Sequence, residues 1–569
     1  MPGERLGSQR AELWEHVAEP VRISFLGGLG EIGRNCAVVE QAGRLVVLDC
    51  GIMFPNPEMP GVDLVLPDFT FLRERGGDVD GIVLTHGHED HVGALAYLMR
   101  DLDAPIYGSP LTLGFARNRL DEAGLGQKAP LVPVRDGERR KIGPFDVEFI
   151  PVTHSVPSGF ALAFHTAQGV VLHSGDFKLD LTPVDGRRTD LARIGQISAS
   201  EGIRLLLADS TNAELPGYTG SESSVGESLR RIFIAQRGRR IVVACFASHV
   251  HRIQQLADAA IASGRKVALL GRSMVKNVGI ARDLAMLTIP DRYFADIETI
   301  GDHNPGEICV ISTGSQGEPM SALAQMASGE SRWLHIEEGD VVVLSSHAIP
   351  GNEWAVAKVM DGLARRGAEV IHAGVAHVHE SGHARQGELA TLLSVARPRS
   401  FVPVHGEYRM LVRHSRLAIE MGVAPDEVLI CEDGDVVQLG DEGIDFAGEV
   451  SAAHVFVDGI VGDVGLGVLR DRRVLAEEGV VVAVVTIDSR SGEIIGAPEI
   501  VSRGFLDEPG AETVVEELRT ALVKAIEISV SESGFEPDAL RRVMRRTVGR
   551  IVSDRTRRRP MIVPVVLEA

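Results

Sequence analysis

Within six positions, His86, His88, Asp90 and His91 set three imidazoles beside one carboxylate, in the segment GIVLTHGHEDHVGAL. The apolar run before them reads as a strand, and the residues from about His91 as the start of a helix. A strand-to-helix loop lets alternate residues face one point, while the helix start turns Asp90 and His91 towards a second. Neutral imidazole nitrogens and carboxylate oxygens suit zinc, and a catalytic zinc keeps one position for a water whose pKa it lowers towards ~7. Two such ions about 3.5–4 Å apart can hold an attacking hydroxide and the oxygens of a phosphate together. Four ligands do not fill two sites, so the chain must supply more.

His154 in PVTHSVPSG, Asp176 in LHSGDFK and His405 in FVPVHGEY each follow an apolar, strand-like run. Taken singly, each reads equally well as a capping or hydrogen-bonded residue at a strand end. Taken with the HxHxDH loop, they predict a two-metal hydrolase whose ligands come from several strand ends.

The elements that must deliver these ligands are legible as runs. From Val21 to Ser210 short β-rich segments alternate with Gly and Pro, among them VRISFL, LVVLD, GVVLHSGD and IRLLLADS. Strands this apolar need cover on both faces, which predicts a layered α/β domain. After Ser221, helix-like stretches alternate with RRIVVACFAS, KVALLG and VVVLSS, the pattern of parallel βαβ units. The His-rich AEVIHAGVAHVHESGHA and SFVPVHGEYRM then return to the site, making the first domain discontinuous. The expected division is 1–211 for the first part of the core, 212–373 for the insert and 374–449 for the rest of the core. Residues 450–569 form a linker and a small α/β module built from VVVAVVTID, a helix near Thr513 to Ser533, and MIVPVVLE.

Composition narrows the class. With 569 residues, 44% hydrophobic and 24% charged, the chain packs into several domains and is not a disordered tail. MPGERLGSQRAELWEHVAEP has no apolar run of signal-peptide length, and nowhere do eighteen apolar residues follow one another, so neither export nor membrane spanning is expected. Cys36, Cys50, Cys245, Cys309 and Cys431 form no CxxC pair and are expected as buried thiols in a reducing cytoplasm. A net charge of −21 opposes tight, unselective binding to duplex DNA, although metal cations cancel carboxylate charge locally.

THGHEDH, PVTHS and HSGDFK resemble the motifs of the metallo-β-lactamase fold, and ADSTNAE, HESGHA and VPVHGEYRM resemble those of its β-CASP nuclease branch. The likeness runs from about Val21 to Asp554, and the domain order is similar to that of the bacterial RNase J family. It implies an αββα metallo-β-lactamase sandwich with an inserted, parallel βαβ β-CASP domain and a small C-terminal α/β domain. It also implies that His86, His88 and His154 hold one zinc, that Asp90, His91 and His405 hold the other, and that Asp176 bridges them. Manganese or magnesium are alternative working metals. Asp209, His383 and His405 would be the three β-CASP motif residues, and a histidine at 405 is similar to RNA-acting members, where DNA-acting relatives tend to carry valine.

The implied activity is hydrolysis of single-stranded RNA, from a 5′-monophosphate end and internally, in RNA maturation and decay. Asp90 or Asp176 would take the proton of the attacking water, and His383 would act as an acid or a phosphate clamp. The 5′ end would lie against Ser248, His249 and Val250 at a helix start, and against His379, Glu380, Ser381, Gly382 and His383. A homodimer or homotetramer and partners in a decay complex are also implied, as is a calcium-type site near Asp49 with Asp458 as its distant partner. Asp49 is alternatively a carboxylate that orients a metal-bound histidine. A DNA nuclease of the same branch, a small-molecule hydrolase on the same fold, which would not need an insert over the site, and a catalytically silent RNA-binding scaffold are the competing readings.

Outside these motifs, His165 and His173 read as sheet residues, His347, His372 and His377 as structural, and STGSQGEP as a turn. LRRVMRRTVGRIVSDRTRRRP carries nine arginines between Arg541 and Arg559, which reads first as a solvated helix face and second as an RNA or subunit contact.

Overall fold

The β-rich runs do become strands buried on both faces. Ile203–Asp209 exposes none of its residues, and Val79–Val83 and Arg44–Leu48 are nearly as closed. The computed structural model describes residues 19–349, 351–459, 462–504 and 511–569.

Two sheets make the sandwich. One has eight strands, running from Ile444–Glu449 through Asp435–Leu439, Val21–Gly27, Cys36–Gln41, Arg44–Leu48 and Val79–Val83 to Ile106–Gly108 and Leu131–Pro133. The other has six, from Ser400–Val404 through Ile203–Asp209, Gly169–His173, Gly159–Thr166 and Phe145–Val152 to Arg139–Ile142. Their facing sides share one core, in which Val46 and Val83 of the first meet Phe149, Phe160 and Leu205 of the second. Phe149 and Phe160 meet edge to face at 5.5 Å, and truncating either to Ala would cost about 3–5 kcal/mol. The outer side of the six-stranded sheet buries Phe177, Leu206 and Phe401 against Ile194, Leu389, Leu392 and Leu417 of three helices. That is the expected αββα layering.

Between Ile203–Asp209 and its parallel neighbour Ser400–Val404, the chain builds a five-stranded sheet, every pairing parallel. Its order is Lys266–Leu270, Ile308–Ser312, Ile241–Ala244, Val341–Leu344, Glu369–Ile371, with an apolar core on each face. This is the predicted βαβ insert. In such sheets the loops after the strands gather at one edge, where ligands bind.

By its internal contacts the chain forms two compact units, one of residues up to Met53 with Leu66–His454, the other of Phe54–Val65 with Val455–Ala569. Sandwich and insert therefore belong to one unit. In the other, Val480–Ile487 pairs antiparallel with Glu499–Arg503 and parallel with Met561–Glu568, and the helices Ala511–Ser533 and Pro537–Thr556 bury Leu518, Leu522, Met544 and Val548 against that sheet. The segment Phe54–Val65 joins this unit through Asp63, whose N–H donates to Val457 O (2.8 Å) and whose carboxylate accepts from Gly459 N–H (2.7 Å). Nothing in its local pattern announced that pairing. No helix among the described residues is long and apolar enough to cross a membrane.

Candidate metal centre

The HxHxDH loop leaves Val79–Val83 and enters a short helix, Glu89–Val92, two residues earlier than expected, with His88 at its N-cap. Backbone bonds lock that turn: Asn35 N–H donates to Asp90 O (3.0 Å), Cys50 N–H to His91 O (2.7 Å) and Ile52 N–H to Glu89 O (3.0 Å). The approach is so close that a Cβ on Gly51 would stand 1.6 Å from Asp90 O, so only glycine fits there. Gly175, at φ +57, brings Asp176 in by the same means, since a Cβ would meet Phe160 O at 2.4 Å.

All seven expected ligands converge. His86 Nε2 lies 3.0 Å from His88 Nδ1 and 3.6 Å from Asp176 Oδ2, and His154 Nε2 lies 3.2 Å from His88 Nδ1 and 3.8 Å from Asp176 Oδ2. Beside them, Asp90 Oδ2 is 3.6 Å from His91 Nε2 and 3.3 Å from His405 Nε2, while Asp176 Oδ2 is 3.3 Å and 3.8 Å from the same two nitrogens. Tetrahedral ligands at about 2.0–2.1 Å from zinc stand about 3.3 Å apart, so both sets have the right spacing and share the Asp176 oxygen. Asp90, His91, Asp176 and His405 form one group of compatible donors, and His86, His88, His154 and Asp176 the other.

The ligands are held from behind. His91 donates through Nδ1 to Asp49 (2.8 Å), which also accepts from the Thr85 hydroxyl and N–H. His154 donates to Gly382 O (2.8 Å), and His405 pairs its Nδ1 with the Thr211 hydroxyl (2.7 Å). Such partners fix the ring and raise its basicity. Asp49 (φ 57) and His405 (φ 54) both adopt left-handed backbone, strain that surrounding contacts must hold in place.

Electrostatics follow from burial and grouping. Burial lowers the imidazoles of His86 and His154, and takes His88 down to about 4. For His91 burial is outweighed by Asp176, Asp90 and Asp49, and for His405 by Asp176, Asp209 and Asp90, which push it up to about 10. Burial would raise Asp90 and Asp176, but the surrounding imidazoles hold both well below the usual carboxylate range. A cluster this acidic demands positive charge, and divalent cations displace the protons when they bind.

His383 lies beside the cluster. Its Nδ1 bonds to Asp209 Oδ2 (2.8 Å), its ring stacks on His405 (14° between planes), and Asp209 overcomes burial to raise its pKa. A cavity of about 30 Å³ opens against Asp49, His91, Asp176 and His405, with His173 in its wall. Asp49, expected near a calcium-type site, is engaged by His91 and Thr85. Among the described residues neither Asp49 nor Asp458 joins a metal-compatible group, and Asp458 pairs with Arg472 (2.7 Å).

The residues expected at the 5′ end sit where the parallel sheet's loops meet this centre. Ser248 does not cap the helix Val250–Ala262; His249 is the N-cap, without a side-chain bond. His249 is buried, both its nitrogens lack a hydrogen-bond partner among the described residues, and Glu222 stands 3.6 Å away. His379 Nδ1 is buried without a partner as well, and its ring meets that of His347 at 4.9 Å, which gives His347 a place in this wall beyond the structural reading. Burial lowers both His249 and His379. Ser381 and Gly382 are engaged inwards: Ser381 Oγ accepts from Asn212 Nδ2 (2.9 Å) and His383 N–H (3.2 Å), and Gly382 O holds His154. Glu380 faces Gly220 and lies 3.9 Å from Arg385.

Three contributors escaped the sequence reading. Asn35 donates to Asp90 O (3.1 Å), and the wholly buried Arg252 pairs with Glu222 while donating to Ser345 O (3.1 Å) and Val378 O (2.9 Å). Asn35 carries no local signal. Arg252 and Glu222 are charges on the apolar faces of their helices, which was the available clue. His165 is bonded to Glu148 and Glu201, and Gln316 ties the STGSQGEP turn to His347 O, both as expected.

Comparison with known proteins finds matches along most of the chain. Family models match at residues 29–232 (metallo-β-lactamase superfamily), 238–363 (ribonuclease J, β-CASP domain), 369–430 (zinc-dependent metallo-hydrolase RNA specificity domain) and 467–569 (ribonuclease J C-terminal domain). Ribonuclease J of Mycobacterium tuberculosis is 43% identical over 551 residues, covering 96% of this chain and 97% of that protein. Ribonuclease J of Mycolicibacterium smegmatis is 42% identical over 96% of this chain and 97% of its own, and ribonuclease J2 of Bacillus subtilis 38% over 97% and 99%. A solved structure of a protein of unknown function from Enterococcus faecalis superposes with a TM-score of 0.54 at 16% identity, covering 74% of this chain and 100% of that one, a likeness of fold alone.

Proposed function

The chain belongs to the ribonuclease J family, and from that premise we propose that it hydrolyses RNA phosphodiesters at a two-cation site formed by His86, His88, Asp90, His91, His154, Asp176 and His405. The observation that carries this reading is the pair of four-donor sets that share Asp176 Oδ2 at tetrahedral spacing. Two divalent cations, zinc by the donor set with manganese or magnesium as alternatives, would supply an ionised water and neutralise the phosphate charge. Asp90, whose side chain is 27% exposed, is placed together with Asp176 to accept the proton of the attacking water. His383, oriented by Asp209 and biased towards its charged form, donates to the leaving oxygen through Nε2.

For the 5′-monophosphate end we infer a seat formed by Ser248, His249, Val250 and the loop His379, Glu380, Ser381, Gly382 and His383. Support comes from three buried, unpaired imidazole nitrogens, both of His249 and Nδ1 of His379, because a buried polar group without a partner favours a ligand that satisfies it. RNA entering 5′ end first would be shortened from that end, while RNA lying across the centre would be cut internally. A DNA nuclease or a silent scaffold is not favoured by the ribonuclease relatives.

The divisions 1–211, 212–373, 374–449 and 450–569 remain our reading of the domains, supported by the four matched stretches. A homodimer or homotetramer and association with decay-complex partners rest on resemblance. All five cysteines are buried and unpaired, which supports a reducing, cytoplasmic setting.

One RNA carrying a 5′ monophosphate, triphosphate or hydroxyl, digested with and without chelator, tests the reading. Expected are chelator-sensitive cleavage of all three and faster 5′ shortening of the monophosphate. Hydrolysis that survives metal removal would refute it.

A further inference from the structure

The helix Pro537–Thr556 carries a charge pattern that its packing does not require. Its inner face, Leu540, Met544, Val548, Ile551 and Val552, is buried in the core of the C-terminal unit. The exposed face holds Arg541, Arg542, Arg545, Arg546 and Arg550, with no acidic residue between Ala539 and Ser553. Exposed helix faces that serve only solubility mix signs, so that i,i+4 neighbours attract. Here 541 and 545, 542 and 546, and 546 and 550 are like-charged i,i+4 pairs, each of which weakens the helix.

The first two arginines find partners at the helix start, Arg541 with Asp538 (2.6 Å) and Arg542 with Glu536 (3.6 Å). Arg545, Arg546, Arg550 and Arg557 have no carboxylate within ion-pair distance among the described residues. Arg557, exposed at the C-cap, continues the row of 542, 546 and 550. The whole run from 541 to 559 sets nine arginines against the single Asp554, in a chain whose net charge is −21. A patch this positive on so acidic a protein attracts polyanions selectively, and the row 542, 546, 550 extends about 12 Å along the helix, enough to follow consecutive phosphates.

We propose that the exposed face of this helix is a second RNA-binding surface, which holds the backbone of single-stranded RNA through Arg545, Arg546, Arg550 and Arg557. The face offers cations and no aromatic side chain, so recognition is of phosphate, independent of base sequence. The surface rests on the reading of the chain as an RNA hydrolase only in its choice of polyanion; it requires nothing of the metal centre.

The test uses the full chain with its metals and a labelled, hydrolysis-resistant phosphorothioate RNA of about 30 nucleotides, since single-strand binding loses about 0.7 units of log affinity per unit log salt for each phosphate neutralised. In the variant R545Q/R546Q/R550Q/R557Q the salt slope should fall by about two to three units. The lysine set at the same four positions should keep it, because phosphate contact needs only the charge. Melting curves of both sets show whether the unit still folds. An unchanged slope in the folded glutamine variant overturns the proposal, as does tighter binding to a duplex than to the single strand, or loss of subunit association in place of RNA affinity. A parent chain that binds this RNA but cleaves none of the unmodified RNA of the same sequence would sink the hydrolase reading and leave the surface standing.

Discussion

The metal centre and the pocket beside it contain the same residue type in opposite states. In the candidate metal centre, His91, His154 and His405 each spend one nitrogen on Asp49, Gly382 or Thr211, and the other faces a shared carboxylate. In the pocket, both nitrogens of the buried His249 and the buried Nδ1 of His379 are left unpaired, and the nearest acid, Glu222, is turned towards Arg252. A histidine braced from behind and facing carboxylates is prepared for a cation. One that is buried and unsatisfied is prepared for a ligand bringing acceptors, such as a phosphate.

The widest separation between the two regions should come from Asp176, the oxygen common to both donor sets. Asp176→Ala is expected to abolish cleavage of every RNA whatever its 5′ group, beyond the roughly 100-fold that loss of a supporting residue causes, and to lower bound metal measured by atomic emission. A variant that kept two metals per chain would show that the sets do not share it.

Glu222→Gln strikes the pocket instead. It leaves the guanidinium of Arg252 buried without its partner, at about 3–5 kcal/mol of stability. Burial would raise the Glu222 carboxyl, but Arg252 and then His249 outweigh it and hold it well below 4.5. A depressed carboxyl stabilises the fold above its unfolded pKa, and that contribution is lost as pH falls through the folded value. Urea midpoints of parent and variant should therefore differ most at neutral pH and approach each other only well below pH 4.5. A gap that closed between pH 7 and 5 would mean the carboxylate is not held by Arg252.

Asp49→Asn keeps the shape but weakens the brace on His91, so metal affinity should drop about 10–100-fold in a chelator competition while the 5′ preference stays. Retained affinity would reduce Asp49 to a loop residue. His249→Ala is the mildest and most selective: about 10-fold to 100-fold loss of the monophosphate advantage, the value of a charge-assisted hydrogen bond of ~1.5–3 kcal/mol, with internal cutting retained. Equal losses on monophosphate and hydroxyl ends would place His249 outside the pocket.

The sequence made the cation site more legible than its neighbour. HxHxDH, His154, Asp176 and His405 stand at strand ends, where residue type and position are both informative. The layered strands were legible for the same reason, since apolar runs report burial directly. Asn35, Arg252 and Glu222 were not, because a side chain's role in bracing another residue depends on contacts across 30 to 126 positions that no periodicity encodes. Ser248 shows the converse error available to local reading: a preferred capping residue before a helix that in fact starts after His249. The Asp49 loop was read in two ways, and the hydrogen bonds to Thr85 and His91 fit the brace.

The contribution of Phe54–Val65 to the C-terminal unit bears on how the chain is made. Those residues leave the ribosome about 390 positions before Val455, so their strand partners do not yet exist while the first strands of the sandwich emerge. Closing so long a loop is entropically slow, and a fragment beginning at residue 455 lacks Asp63, whose N–H and carboxylate bond to Val457 O and Gly459 N–H. Excising the C-terminal module for study therefore requires grafting this twelve-residue piece onto it, and limited proteolysis between the two segments should release a product that stays associated.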